Sequence, residues 1–173
     1  MMPQLNHVLE DYSIPVYSCS GFDSLSAKYD LKEWCHDTLY YRGRQPVVLH
    51  LGDFDPSGES IFEVIRDDVR AFLEADIPHV GPGEFVFRRI ALTPELIEEY
   101  QLPMSPAKAS DARSKRWVGE TCQLEALPPD ALASVLRAEI EEHWLDRDLL
   151  AADRAEEEIT QRKILRALPG DAA

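Results

Sequence analysis

Five apolar or β-branched-rich residues, Val47-Val48-Leu49-His50-Leu51, run into Gly52-Asp53-Phe54-Asp55-Pro56-Ser57-Gly58 and then directly into a helix-forming segment. No other stretch restricts the fold as strongly. A short run that is apolar on both faces suits the interior of a parallel sheet, whose strands are covered by helices on each side. The segment that follows, starting near Gly58 or Glu59, carries Ile61, Val64, Ile65, Val69, Phe72 and Leu73 on one helical stripe. Strand, tight turn and amphipathic helix together make most of a βαβ unit, and sheets of this kind open their sites at the carboxyl ends of strands.

Asp53 and Asp55 are two residues apart. If the strand runs on, they point the same way, because strand side chains alternate with period two. Two convergent carboxylates repel each other unless something positive lies between them. A hard divalent cation, Mg²⁺ or alternatively Mn²⁺, meets that need, taking one or two carboxylates together with water and substrate phosphate. The competing reading is structural: Asp-Pro and Ser-Gly form turns, and an aspartate before a helix caps it.

Strand and helix signals alternate through residue 100. A short helix over Leu5 to Leu9, a strand over Ile14 to Ser18 and an amphipathic helix from about Ser24 to Tyr40 precede the central strand. Phe85 to Leu92 reads as the next strand. Thr93-Pro94-Glu95 reads as a helix start, with threonine as cap and proline in the first turn. The alternation predicts an α/β fold with a mainly parallel sheet flanked by helices. Gln101 to Gly119 is polar and rich in Pro, Lys and Arg, and reads as a loop. A last short strand is expected within Thr121 to Leu127. Pro128-Pro129-Asp130 opens a long helical segment reaching Leu168, bent or broken near Asp146. The division is an α/β domain over 1–127 and an acidic C-terminal helical segment over 128–173.

At 173 residues, 45% hydrophobic and 9% aromatic, the chain has the length and composition for one ordinary core. No apolar run reaches the roughly 20 residues that span a bilayer, and the first residues lack a signal-peptide pattern, so a cytoplasmic, non-membrane protein is expected. Cys19, Cys35 and Cys122 form no C-x-x-C pair, which argues against a zinc site or a disulfide framework. The formal charge is −14, awkward for a nucleic-acid binder because phosphate affinity comes from Lys and Arg. The excess is concentrated, however. Glu139 to Glu158 holds nine acidic residues against Arg147 and Arg154, a net of −7 and half the total.

The hydrophobic strand followed by Gly-Asp-x-Asp-Pro-Ser-Gly and a helix resembles the metal-binding motif of Toprim domains, most closely that of the topoisomerase VI A subunit and its meiotic recombination relatives. Weaker similarities follow in the order that group shows: Ser13-Ile14-Pro15-Val16 through Gly21-Phe22-Asp23-Ser24, Arg89-Ile90-Ala91-Leu92-Thr93, Pro106-Ala107-Lys108 and Leu124-Glu125-Ala126-Leu127. Together they cover roughly residues 3 to 143. The resemblance implies a Toprim-like (Rossmann-like) fold, with Asp53 and Asp55 as the catalytic residues and Mg²⁺ ligands. It also implies a third carboxylate, a glutamate ending a first strand. Here the first predicted helix begins near Gln4 with no strand before it, and Glu10 lies at that helix's far end, so this glutamate is expected to be missing. The tyrosine nucleophile of the topoisomerase relatives sits on a separate winged-helix domain with no counterpart in this sequence.

Other candidates surround the motif. Lys108, Arg113, Lys115 and Arg116, with Trp117 beside them, form the dense basic cluster, read either as a phosphate-contacting loop or as a solvated one. The amides at Ser57, Gly58 and Glu59 offer a helix start to a phosphate. Glu59 and Glu63 are read as helix-terminus charges or a substitute ligand, and His50 as a buried, hydrogen-bonded core histidine. The functional expectation is Mg-dependent, nuclease-like phosphodiester chemistry on nucleic acid, DNA more than RNA. The alternative is a catalytically degenerate Toprim-like module that binds a protein partner or a second copy. A phosphotransferase or phosphatase with an aspartate nucleophile is a third reading.

Overall fold

The computed structural model describes residues 2–18, 25–77, 81, 83–107, 113 and 117–167, with the side chains of residues 2–4 and 167 excepted. Within them the chain forms helix α1 (Met2–Glu10), α2 (Leu25–His36), strand β1 (Val47–Leu51), α3 (Pro56–Asp76), β2 (Val86–Ala91), α4 (Pro94–Glu99), β3 (Ser105–Pro106), β4 (Glu120–Thr121), α5 (Pro129–Glu139) and α6 (Arg147–Ala167).

β1 and β2 are parallel, with Val47 opposite Val86 and His50 opposite Arg89. The register shifts between His50 and Leu51. This pair divides two apolar clusters. Leu49 and Leu51 face one built from α1, the end of β2 and α5, with Leu5, Leu92, Leu127, Leu136 and Ile140 at its centre. Val48 and Phe87 face the other, where Leu31 and Cys35 of α2 meet Ile65, Val69 and Leu73 of α3. The alternation along β1 is what a strand covered on both faces requires. The architecture is mixed α/β with helices on either side of a small parallel sheet.

Two lysines staple α2 to α3. Lys28 Nζ donates to Asp68 at 2.6 Å, while Lys32 donates to Glu33 at 2.7 Å and also to Asp76. Lys32 is only 2% exposed. Burial opposes its charge, but its hydrogen bonds to Asp76 and Glu33 outweigh that, and its pKa is raised.

Several sequence expectations take a different form. Ile14 to Ser18 is not a strand. It runs as irregular chain along a cavity of about 500 Å³ that also touches Leu9, Trp34, Leu49 and Leu136. Pro15 has no N–H to give a ladder. Among the described residues the parallel sheet has two strands, smaller than the alternation predicts. The expected strand over Thr121 to Leu127 reduces to Glu120–Thr121, paired antiparallel with Ser105–Pro106, followed by a 3₁₀ turn at Leu124–Ala126. The helical segment after Pro128 does break where expected. A π-type turn over Ile140–Trp144 ends at Leu145, and α6 begins at Arg147. Arg44 holds α6 through a forked pair to Asp153, at 2.6 and 3.0 Å, and most of α6 beyond it is exposed. No described helix is long and apolar enough to cross a membrane.

Candidate functional site at the end of strand β1

β1 stops at Leu51, so the alternation of a strand does not carry through to the two aspartates. Gly52 continues the pairing with the neighbouring strand through Gly52 N–H to Ala91 O and Leu92 N–H to Gly52 O, both 2.7 Å. Phe54 then bridges Cys122 in antiparallel fashion, at 2.8 and 3.0 Å. The chain at Asp53 is thus clamped between the end of β2 and the segment after β4.

Each aspartate has a structural duty. Asp53 Oδ1 accepts from the Leu124 amide at 2.7 Å, starting the 3₁₀ turn. Asp55 is the N-cap of α3, accepting from the Gly58 amide at 2.6 Å, with Pro56 in the first turn. The capping reading of Asp55 therefore holds. Each carboxylate has only one of its two oxygens in these bonds among the described residues. The Gly58 amide is occupied by Asp55, and the Glu59 amide donates to Asp55 O at 3.1 Å. Two of the three amides expected to face a phosphate are thereby already bonded.

Gly58 is required by close approach rather than by its dihedral angles. A Cβ there would stand 2.2 Å from the Asp53 carbonyl oxygen, well inside any tolerable contact. Gly52 is similar but softer, since its Cβ would meet the His50 ring at 2.7 Å. The spacing of the two glycines lets β1, the turn and α3 pack against one another in so few residues.

Sequence reasoning missed the central cation. Arg89, on β2 opposite His50, turns its side chain toward the end of β1 and is 9% exposed. Its Nε donates to Leu92 O at 3.2 Å, and its Nη2 donates to Gly52 O at 3.3 Å and to Asp53 O. Its Nη1 lies 3.3 Å from Glu59 Oε1 as an ion pair, yet is buried without a well-aligned hydrogen bond. Burial lowers the Arg89 pKa, and the charges of Glu59, Asp55 and Asp53 oppose that. The signal in the sequence was a pair of adjacent arginines, Arg88 and Arg89, inside an otherwise apolar strand: successive side chains take opposite faces, so one of the two charges is turned inward and needs partners.

His50 lies beside this group. Its ring packs 5.1 Å from Phe62, its Nδ1 is buried without a partner, and burial followed by the Arg89 charge pushes its pKa down to about 4. It is a neutral core histidine, buried as its place in the strand suggested but without the hydrogen bond expected for it at Nδ1.

The basic loop is tied to the same spot. Trp117 stacks edge-on against Phe54, ring centres 5.2 Å apart, and its Nε1 donates to Glu120 O at 3.3 Å. β3 and β4 close the base of the loop. Of the cluster, Arg113 is exposed, whereas Lys108, Lys115 and Arg116 lie outside the described residues. Ser57 and Glu59 are half-buried on the first turn of α3.

The donors gathered here are hard oxygens. That chemistry fits Mg²⁺ or Mn²⁺, ions that bind through one or two carboxylates and keep several waters. Among the described residues no group of three His, Cys, Asp or Glu side chains lies close enough to enclose a metal, so such an ion would rely on Asp53, Asp55 and water. Comparison with family models, with curated proteins and with solved structures gives no match to this chain.

Proposed function

We propose that this chain is a Toprim-like domain related to the topoisomerase VI A subunit, and that it carries out Mg²⁺-dependent, nuclease-like phosphodiester chemistry on nucleic acid, preferably DNA. The observation that supports this reading most is the packing of Trp117, the residue that follows the basic cluster in the sequence, on the ring between the two aspartates. Phe54, which separates Asp53 from Asp55, is also the residue on which the end of the basic loop rests, through Trp117. A carboxylate pair for the ion and a cationic loop for the backbone phosphates are the two parts such a site needs.

In this reading Asp53 and Asp55 hold the ion with the oxygens not engaged in capping. When bound, the ion supplies Lewis-acid polarisation of a phosphoryl oxygen. The capping bonds keep the two carboxylates in place before substrate arrives, and preorganisation of this kind is worth more than raw charge. Arg113, Lys108 and Lys115 steer the polyanion toward the acidic strand end. The tyrosine chemistry of the topoisomerase relatives is not part of the proposal.

One observation favours the second reading, an inactive Toprim-like module serving as an interaction subunit. Each aspartate already performs a structural task, and a third carboxylate ligand is lacking among the described residues. Plasmid incubation with Mg²⁺ or Mn²⁺ separates the two. The catalytic reading expects nicking or linearisation by the wild-type chain and at least a ~100-fold loss in Asp53→Asn and Asp55→Asn, which keep both caps but remove charge. Equal cleavage by wild type and variants marks a contaminant and refutes the assignment. No cleavage by any of them leaves the interaction module.

A further inference from the structure

We propose that residues 14–18 are a strap that closes onto the free edge of β1, turning the two-stranded sheet into a three-stranded parallel one and sealing that edge against other chains. The inference stands apart from the function proposed above. Among the described residues β1 pairs with β2 along one edge only. Pro46 O accepts from the Val86 amide, and Gly52 both donates to Ala91 O and accepts from the Leu92 amide. Backbone groups alternate between the two edges of a strand. The even-numbered residues therefore face β2, and the N–H and C=O groups of Val47, Leu49 and Leu51 face the other way. None of these three is bonded to another described backbone group on that side. An open edge of this kind is a template for pairing with other chains.

The edge opens on the cavity of about 500 Å³, which all five residues of β1 line and to which β2 gives only Phe87. Residues 13–18 line the same cavity, yet Ile14 and Tyr17 are 37% and 43% exposed. Large apolar side chains standing in solvent beside an apolar cavity cost a marginally stable domain on both counts, and closure removes both costs. The connections give the direction of closure. α2 and α3 pack on the same face of the sheet, against Val48 and Phe87. Crossovers between parallel strands keep one hand. Since α3 leads from β1 to β2, a strand leading through α2 into β1 belongs on the opposite edge of β1, the edge beside which residues 14–18 lie. Pro15 suits that place: with Ile14 and Val16 bonded to β1, its missing N–H faces outward on an outermost strand. The hinge is Ser13, a non-glycine residue at φ 54° just after α1, where the Ile14 amide reaches back to Leu9 O through a long bond of 3.5 Å.

Amide hydrogen exchange of the full chain, read residue by residue by NMR at a low and a high protein concentration, tests the strap. Closure predicts that the Val47, Leu49 and Leu51 amides are protected to within about tenfold of Val48 and His50, whose amides face β2. In the double variant Ile14→Gly, Val16→Gly that protection should fall by at least about tenfold, while Val48 and His50 move by less than about threefold. Free exchange of the three amides in the wild-type chain overturns the proposal, and that result requires no variant to fold. Protection that survives the two glycines overturns it as well, because something other than the strap then covers the edge. So does a loss shared equally by Val48 and His50, which marks residues 14–18 as packing for the whole strand. Protection that appears only at the higher concentration assigns the edge to a second copy of the chain and also overturns the strap.

Discussion

Lys32 and Arg89 are both cations buried against carboxylates, one between α2 and α3 and the other where β1 and β2 end, yet their surroundings differ. Lys32 has its partners: Asp76 and Glu33 accept its hydrogen bonds, the Tyr29 ring lies 5.0 Å away, and both carboxylates reach solvent. Arg89 meets three backbone carbonyls and an excess of acid, and one of its nitrogens, like Nδ1 of neighbouring His50, is left without a hydrogen bond. The first region is a satisfied staple. The second combines tight backbone, surplus negative charge and unsatisfied polar atoms, features that gather at sites where strain and desolvation serve a ligand. Four experiments bear on that contrast.

The strongest is Gly58→Ala. A methyl group 2.2 Å from the Asp53 carbonyl oxygen forces the turn apart, and a loss of about 3 kcal/mol in urea unfolding is expected, together with loss of metal binding. A nearly neutral Gly58→Ala would show that the strand end is not held as tightly as the contrast requires. Next comes acid. The folded chain keeps His50 neutral down to about pH 4, whereas an unfolded histidine takes its proton near 6.5. The unfolded state therefore binds more protons across that window, and stability falls as the pH drops from about 6.5 to 4, by roughly 3 kcal/mol from this group. His50→Gln should flatten that part of the pH profile measured by thermal melting, and an unchanged profile would refute the burial argument.

Smaller effects sharpen the comparison. Asp55→Ala removes the α3 cap and should cost about 1 kcal/mol, while Asp55→Asn should cost almost nothing, because asparagine caps as well. Lys32→Met should stay within about 1 kcal/mol of wild type, since Glu33 and Asp76 are half exposed and water takes up their charge when the lysine is gone, while the methionine fills the buried stem. A large loss there would mean that the staple, too, is more than packing.

The local parts of this picture were legible in the sequence. β1 and its helix, the Thr93 cap with Pro94, and the break before Arg147 each follow from patterns within a few residues. Thr93 Oγ1 accepts from the Leu96 amide at 3.4 Å, as its position predicted. The parts that build the site were not legible, because they join residues far apart in the chain. Arg89 reaches back 36 residues to Asp53, and Asp53 reaches forward 71 to Leu124. Nothing in a linear pattern records such ties. The same long-range capture explains why Thr121 to Leu127 is not one strand: Asp53 takes the Leu124 amide and turns the chain there. Ile14 to Ser18 has the residues of a strand, but it contains a proline and has no strand beside it among the described residues.

The central claim is that Asp53 and Asp55 keep enough free oxygen to hold a hard dication. Titration of Mn²⁺ into the wild-type chain and into the Asp53→Asn, Asp55→Asn double variant, with melting temperatures recorded for both, tests it most directly. The account predicts one ion per wild-type chain, and loss of that binding in a double variant that melts within a few degrees of wild type. Equal affinity in the two proteins, or no binding in either, contradicts it.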